Sequence, residues 1–249
     1  MGCYLNPMHD IFKEKEEWYL WKDIDRSPML NMAIDENLLP ETAAFKKPLL
    51  RIYGWDRPAV SIGYVQKYSA APQNGYTIVR RPTGGGVVFH DVDLTYTAIV
   101  PPGHWIEKQN RLESYHIFHR IVIKALSSLN ITSCLVESGT EPVDRSTMRC
   151  FASPTRYDVV SNISSDAQAK VAGAAQRRTK YGILHQGSIV IKDIVSKRER
   201  LIKSLLSAFI KELNITFIKY KPSEEFLFSA IKLAEEKYAS ENWNKYRKV

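Results

Sequence analysis

Residues 80–91 read Arg-Arg-Pro-Thr-Gly-Gly-Gly-Val-Val-Phe-His-Asp, and this stretch constrains the fold more than any other. Glycine lacks a Cβ, so Gly84, Gly85 and Gly86 allow positive φ and close approach of backbone to a bound molecule. Val87, Val88 and Phe89 favour a pleated strand after the turn. Arg80 and Arg81 place fixed positive charge beside it, suited to a carboxylate or phosphate. The segment is expected to form a strand–turn–strand that clamps an anionic ligand; read alone, it also fits a glycine-rich hairpin with solvent-facing arginines. It lacks the Gly-Lys-Ser/Thr ending of a Walker A loop and the spaced glycines of a dinucleotide fingerprint.

The chain has 249 residues, 44% hydrophobic and 25% charged, in keeping with one globular domain and a small addition. No apolar run approaches the roughly 20 residues that span a bilayer. The charged start, Lys13 to Glu17, has no signal-peptide core, and Asn6 stands where a myristoylation motif wants Ser or Thr. A cytoplasmic protein without a membrane partner is expected. Cys3, Cys134 and Cys150 have neither disulfide nor zinc spacing. The net charge of +8 suggests an acidic partner, nucleic acid or an acidic protein domain; charge alone does not choose, and no helix-turn-helix, zinc-finger or RNA-recognition signature favours nucleic acid.

Ser27-Pro28 followed by Met29, Met32, Ala33, Glu36 and Leu39 predicts a capped helix. Strand-forming runs follow at 49–53, 59–64, 77–80, 86–90 and 94–100, spaced closely enough to favour hairpins over crossovers. Apolar residues recur at helical spacing over 109–129, with His116 and His119 read as packing or surface residues. More strand is expected at 157–162, 170–175 and 183–191, and Cys134 in an apolar strand over 131–136 is assigned to the core. From Ser196 the pattern is charged and helical, broken near Pro222. The domain reading is a tail over 1–17, a catalytic domain over 18–195 and a helical appendage over 196–249.

Two later segments, Lys170-Val-Ala-Gly173-Ala-Ala-Gln-Arg-Arg178 and Leu184-His185-Gln-Gly187-Ser188, each read alone as ordinary strand and turn. Together with residues 80–91, in this order, they resemble the lipoate-attachment branch of the biotin/lipoate protein ligase superfamily. Asn31-Met-Ala-Ile-Asp-Glu36 also looks like that family, and the resemblance covers about residues 18–195. It implies an α+β fold around a mixed, mainly antiparallel sheet flanked by helices. It implies acyl transfer to one lysine of an acidic lipoyl-domain protein, an acyltransferase subunit or the glycine-cleavage H protein. Arg80, Arg81, Gly84, Gly85, Gly86, His90, Gly173, His185 and Gly187 would then line the substrate pocket. Lys170 would contact the activated carbonyl, stabilising charge that develops on oxygen.

The family contains ATP-dependent ligases and octanoyltransferases. Cys150-Phe-Ala-Ser-Pro-Thr-Arg-Tyr-Asp158 resembles the segment that holds the nucleophile of the cysteine-dependent transferases. The Arg-Asn-Asp of a typical ligase is replaced here by Arg156-Tyr157-Asp158. A Cys150 thioester would keep the acyl group activated, favoured by Arg149 next to it, and would need no cofactor. A ligase would instead use ATP and Mg2+, with free lipoate or octanoate in place of an acyl carrier protein as donor. The Lys-Tyr and Trp-Asn pairs ending the C-terminal segment resemble those of the transferases. A non-catalytic acyl-binding module is the third reading; loss of Lys170 or the glycine triplet would be expected of it, and both are retained.

Overall fold

The computed structural model describes residues 14–72, 74–136, 158–164 and 167–248, with backbone alone at 162–164, 167 and 168. Cys3 and Cys150, with Arg149, Phe151, Pro154, Arg156 and Tyr157 around the latter, lie outside the described residues.

Strand β1 (Glu16–Arg26) leads into helix α1 (Pro28–Phe45), which starts where the Ser27 hydroxyl accepts the Leu30 amide at 3.3 Å. Helix α1 crosses to β2 (Leu49–Trp55), parallel to β1. Strands β3 (Ala59–Ile62), β4 (Thr77–Arg80) and β5 (Val88–His90) form a small second sheet, and β6 (Leu94–Val100) returns to the first. Next come α2 (Arg111–Ser127), β7 (Ser133–Leu135), β8 (Val159–Ser164), β9 (Ala167–Thr179) and β10 (Gly182–Ile189). Helix α3 (Ile194–Leu213), β11 (Ile215–Lys219), α4 (Glu224–Leu233), a π-helical turn over Ala234–Tyr238 and α5 (Glu241–Tyr246) complete the chain.

Among the described residues the main sheet has eight strands in the order β11-β1-β2-β6-β10-β9-β8-β7. Its β1 pairings are parallel and those from β2 to β7 antiparallel, so the expected mixed, mainly antiparallel α+β fold is observed. Side chains alternate across it as strand geometry requires. Trp18, Leu50, Ile52, Tyr96 and Ala98 face α2 and α3, while Trp21, Leu49, Ile99 and Leu184 pack with α1 and α4.

Three local expectations are corrected. The close spacing of strands over 49–100 does not produce hairpins: β3 and β4 run parallel, and β2 and β3 belong to different sheets. Both edges of β2 are already taken by β1 and β6, so the chain after Pro58 begins a new sheet. Residues 215–219 form strand rather than helix, extending the main sheet beside β1. Cys134 is half-buried, because β7 is the outermost described strand of its sheet.

Candidate active site

The polar side of the main sheet faces the small sheet across a narrow cleft with a free volume of about 30 Å³. Met32, Tyr53, Trp55 and Val88 give it apolar walls; Ser61, Arg81, His90 and Gln186 supply the polar groups. The wall formed by β9 and β10 is nearly bare backbone, because Gly173, Ala174, Ala175 and Gly187 line it.

Lys170 reaches this wall from behind Gly173. A Cβ on Gly173 would collide with Lys170 Cε and stand 2.7 Å from Nζ, so the glycine keeps open the space the ammonium occupies. The ammonium is buried and pairs with Asp158 Oδ2 at 2.8 Å. A lysine held this way is a fixed point charge beside the cleft-lining Gly173 rather than a solvated surface residue.

The glycine turn is held from inside. Gly85 adopts φ +86°, a conformation other residues take only with strain. Arg81 donates from Nε and Nη2 to the Gly84 carbonyl, from Nη2 to that of Gly86 and from Nη1 to that of Ser61, at 2.6–3.0 Å. Its guanidinium therefore shapes the loop while lining the cleft. Arg80, one residue away on the opposite side of its strand, does something else. Fully buried, it donates to five backbone carbonyls: Gly63, Tyr64, Gln66, Trp243 and Asn244. Asn244 Oδ1 accepts the Arg80 amide at 2.7 Å and Trp243 Nε1 donates to the Arg80 carbonyl at 2.8 Å, which gives the C-terminal Trp-Asn pair its task. Burial, and secondarily Arg247, lowers Arg80 to about 10, so it stays charged at neutral pH. Arg80 thus binds carbonyls of the chain itself and does not border the cleft.

The two histidines of the motifs separate as well. His90 lines the cleft, its Nδ1 2.9 Å from Asp93 and its Nε2 2.8 Å from the Ser61 hydroxyl, with the ring stacked 3.9 Å from Trp55. Asp93 is buried, which pushes its carboxyl up. His90 and hydrogen bonds from His90, Ser188 and Thr95 outweigh this and hold it below the ordinary carboxylate value. His185 projects from the other face of β10, among Tyr96, Tyr115, Phe118 and His119. Burial, with a smaller contribution from His119, holds it well below 6.5 and therefore neutral. Gly187 makes room for the Tyr96 ring, where a Cβ would collide. His116 is half-buried beside Glu113, and among the described residues no cluster of three His, Cys, Asp or Glu side chains could hold a metal ion.

Sequence reasoning did not single out the network under the cleft. Asp35 accepts Arg51 Nη1 at 2.7 Å through Oδ1. Its Oδ2 accepts Tyr53, Thr97 and Gln186 Nε2 at 3.0, 2.7 and 2.7 Å. Gln186 Oε1 in turn accepts the Thr83 hydroxyl at 2.6 Å. Thr83, Gln186 and Asp35 come from three separate motifs, so this one chain of hydrogen bonds sets their relative positions. The available signal was an aspartate, Asp35, at a helix position otherwise expected to be apolar.

The site is thus a narrow, largely apolar cleft with a buried ammonium next to its bare-backbone wall. The model of the lipoyl protein ligase A/B catalytic domain matches residues 27–212, and the chain belongs to this family. It is 31% identical to octanoyltransferase LipM of Anoxybacillus flavithermus, over 93% of this chain and 99% of that protein. It is 30% identical to octanoyltransferase LipM of Bacillus subtilis over the same shares. In fold it is similar to Ta0514, a lipoate protein ligase homologue of T. acidophilum, with TM-score 0.75, 21% identity and coverage of 92% of this chain and 99% of that one. Lipoate-protein ligase A bound with ATP superposes with TM-score 0.70 at 22% identity, covering 92% and 98%. Among the described residues no helix is long and apolar enough to cross a membrane.

Proposed function

We propose that the chain transfers an octanoyl or lipoyl group from an acyl carrier protein to the target lysine of a lipoyl-domain protein, through a thioester on Cys150. The observation that carries this reading is Lys170 behind Gly173, a fixed cation next to the wall of a narrow, apolar cleft. Similarity to octanoyltransferases over more than nine-tenths of the chain supports it.

The Cys150 thiolate attacks the donor thioester carbonyl, the C–S bond to the carrier breaks, and the carrier leaves as its thiol. The acceptor lysine amine then attacks the Cys150 thioester, forms the amide, loses a proton and returns the cysteine to thiolate. In both steps the carbonyl oxygen gains negative charge, which the Lys170 ammonium offsets without changing protonation. Asp158 keeps that ammonium aligned. The excess of eight positive charges favours encounter with acidic acceptors and carriers.

Incubation with octanoyl carrier protein and a lipoyl domain, without ATP, is expected to add octanoyl to one acceptor lysine; Cys150→Ala is expected to abolish the transfer. Full activity of Cys150→Ala would overturn the covalent route. Acylation that required ATP and free lipoate, with release of pyrophosphate, would make the chain a ligase instead.

A further inference from the structure

We propose that the cleft contains a second acyl-accepting nucleophile, the Ser61 hydroxyl, activated by His90 and Asp93, and that the protein hydrolyses medium-chain acyl esters and thioesters through it. The inference rests on the cleft being the acyl site, as read above.

Hydrogen-bond directions fix the proton positions. Asp93 Oδ2 already accepts the hydroxyls of Thr95 and Ser188, each at 2.7 Å, and a carboxylate can only accept. His90 Nδ1, 2.9 Å from the same oxygen, must therefore carry a hydrogen, and in the tautomer with that single hydrogen Nε2 offers a lone pair. Ser61 Oγ is 2.8 Å from that lone pair and 3.1 Å from Arg81 Nη1. A guanidinium can only donate, so Oγ accepts from Arg81 and directs its own hydrogen to His90. The nucleophile faces a base, the base is oriented by a buried carboxylate, and a cation beside Oγ favours its deprotonated form. These are the roles of a serine–histidine–aspartate triad, recognised by geometry rather than by sequence order. Stacking on Trp55 holds the imidazole in this alignment, and Trp55 Nε1 donates to Thr95, which in turn donates to Asp93. Ser61 is 2% exposed to bulk water yet lines the cleft, so its partner is a group already bound there.

In the step this allows, His90 Nε2 takes the Ser61 proton as Oγ bonds to the acyl carbonyl carbon. The bond from that carbon to sulfur or oxygen breaks, and the leaving thiol or alcohol takes the proton from His90. Water, deprotonated by His90, then cleaves the serine ester, releasing the fatty acid and restoring the hydroxyl. Water is the sole co-reactant.

The test uses the full chain as Cys150→Ala, which by the reading above cannot transfer, with 4-nitrophenyl octanoate, an octanoyl thioester and a fluorophosphonate probe. The expected result is release of octanoate and a phosphonate adduct on Ser61 by peptide mass spectrometry. Adding Ser61→Ala is expected to remove the adduct and lower hydrolysis at least 100-fold. An unlabelled Ser61, or equal hydrolysis with and without the serine, overturns the proposal. Should a variant misfold, the presence or absence of the Ser61 adduct in the unsubstituted protein decides the same point. The two readings fail separately: transfer to a lipoyl domain without a Ser61 adduct removes only the triad, and an adduct without any transfer removes only the Cys150 route.

Discussion

His90 and His185 are both buried imidazoles engaged through both ring nitrogens, yet they carry opposite protons. His90 has its hydrogen on Nδ1, against a carboxylate, and offers Nε2 to the cleft. His185 accepts the Gln176 amide at Nδ1 at 2.9 Å, so its hydrogen lies on Nε2 toward the Tyr96 hydroxyl, 3.3 Å away. One ring ends a polar network and faces the cleft; the other fills an aromatic cluster on the far side of the sheet. A histidine in a motif acquires its role from the face of the strand it lands on, because adjacent residues of a strand point to opposite sides.

The comparison can be broken at several points. On the polar side, Asp35→Ala leaves the buried Arg51 charge without its nearest carboxylate and Gln186 without an acceptor, and is expected to destabilise by about 3–5 kcal/mol. Urea unfolding followed by tryptophan fluorescence would measure this. Gly173→Ala pushes a methyl against the end of the Lys170 side chain and displaces its ammonium from the wall, straining its buried pair with Asp158. Octanoyl transfer is expected to fall by about 100-fold, with a lowered melting temperature as the buried pair loosens. A rate within a factor of two of the parent would remove Lys170 from the mechanism. On the apolar side, Gly187→Ala pushes a methyl into the rigid Tyr96 ring and should cost about 1–3 kcal/mol.

The smallest expected effect is one of pH. Folded His185 stays neutral well below 6.5, facing His119, Tyr115 and Tyr96, whereas in the unfolded chain it binds a proton at about 6.5. The unfolded state therefore gains protons that the folded state refuses, and stability falls as pH drops below about 6.5. His185→Leu should flatten the fall in melting temperature between pH 7 and pH 5; an unchanged slope would mean that His185 titrates normally in the fold.

Much of the fold was legible where strand or helix patterning was local. The Ser27 cap, the five strand runs over 49–100 and the helix over 109–129 occur where the pattern places them. Strand β1 was not, because both of its faces are apolar: Trp18 and Leu20 pack on one side, Tyr19 and Trp21 on the other, and no alternation remains to be read. Strand β11 follows a long helix with a single residue between and pairs with a strand about 200 positions earlier, a contact local pattern does not encode. For the site, the glycine turn was visible because three consecutive glycines are unusual in a strand, whereas Lys170 reads alone as an ordinary strand residue and stood out only through the resemblance of its segment. Arg80, Arg81 and His185 were grouped by motif, but strand alternation sends them to different surroundings. Ser61 and Asp93 were invisible because a serine and an aspartate near turns are commonplace; only the approach of β3 to the chain after β5 gives them meaning.

The grip of Trp243 and Asn244 on Arg80 spans more than 160 residues of sequence. A ribosome adds about 5–20 residues per second, so the glycine loop leaves it on the order of ten seconds or more before the helix that fastens it exists. During that interval the five carbonyls and the guanidinium cannot all be satisfied. The strand that carries Arg80 therefore emerges well before the side chains that fasten it, and its final hydrogen bonds form only once α5 has been made.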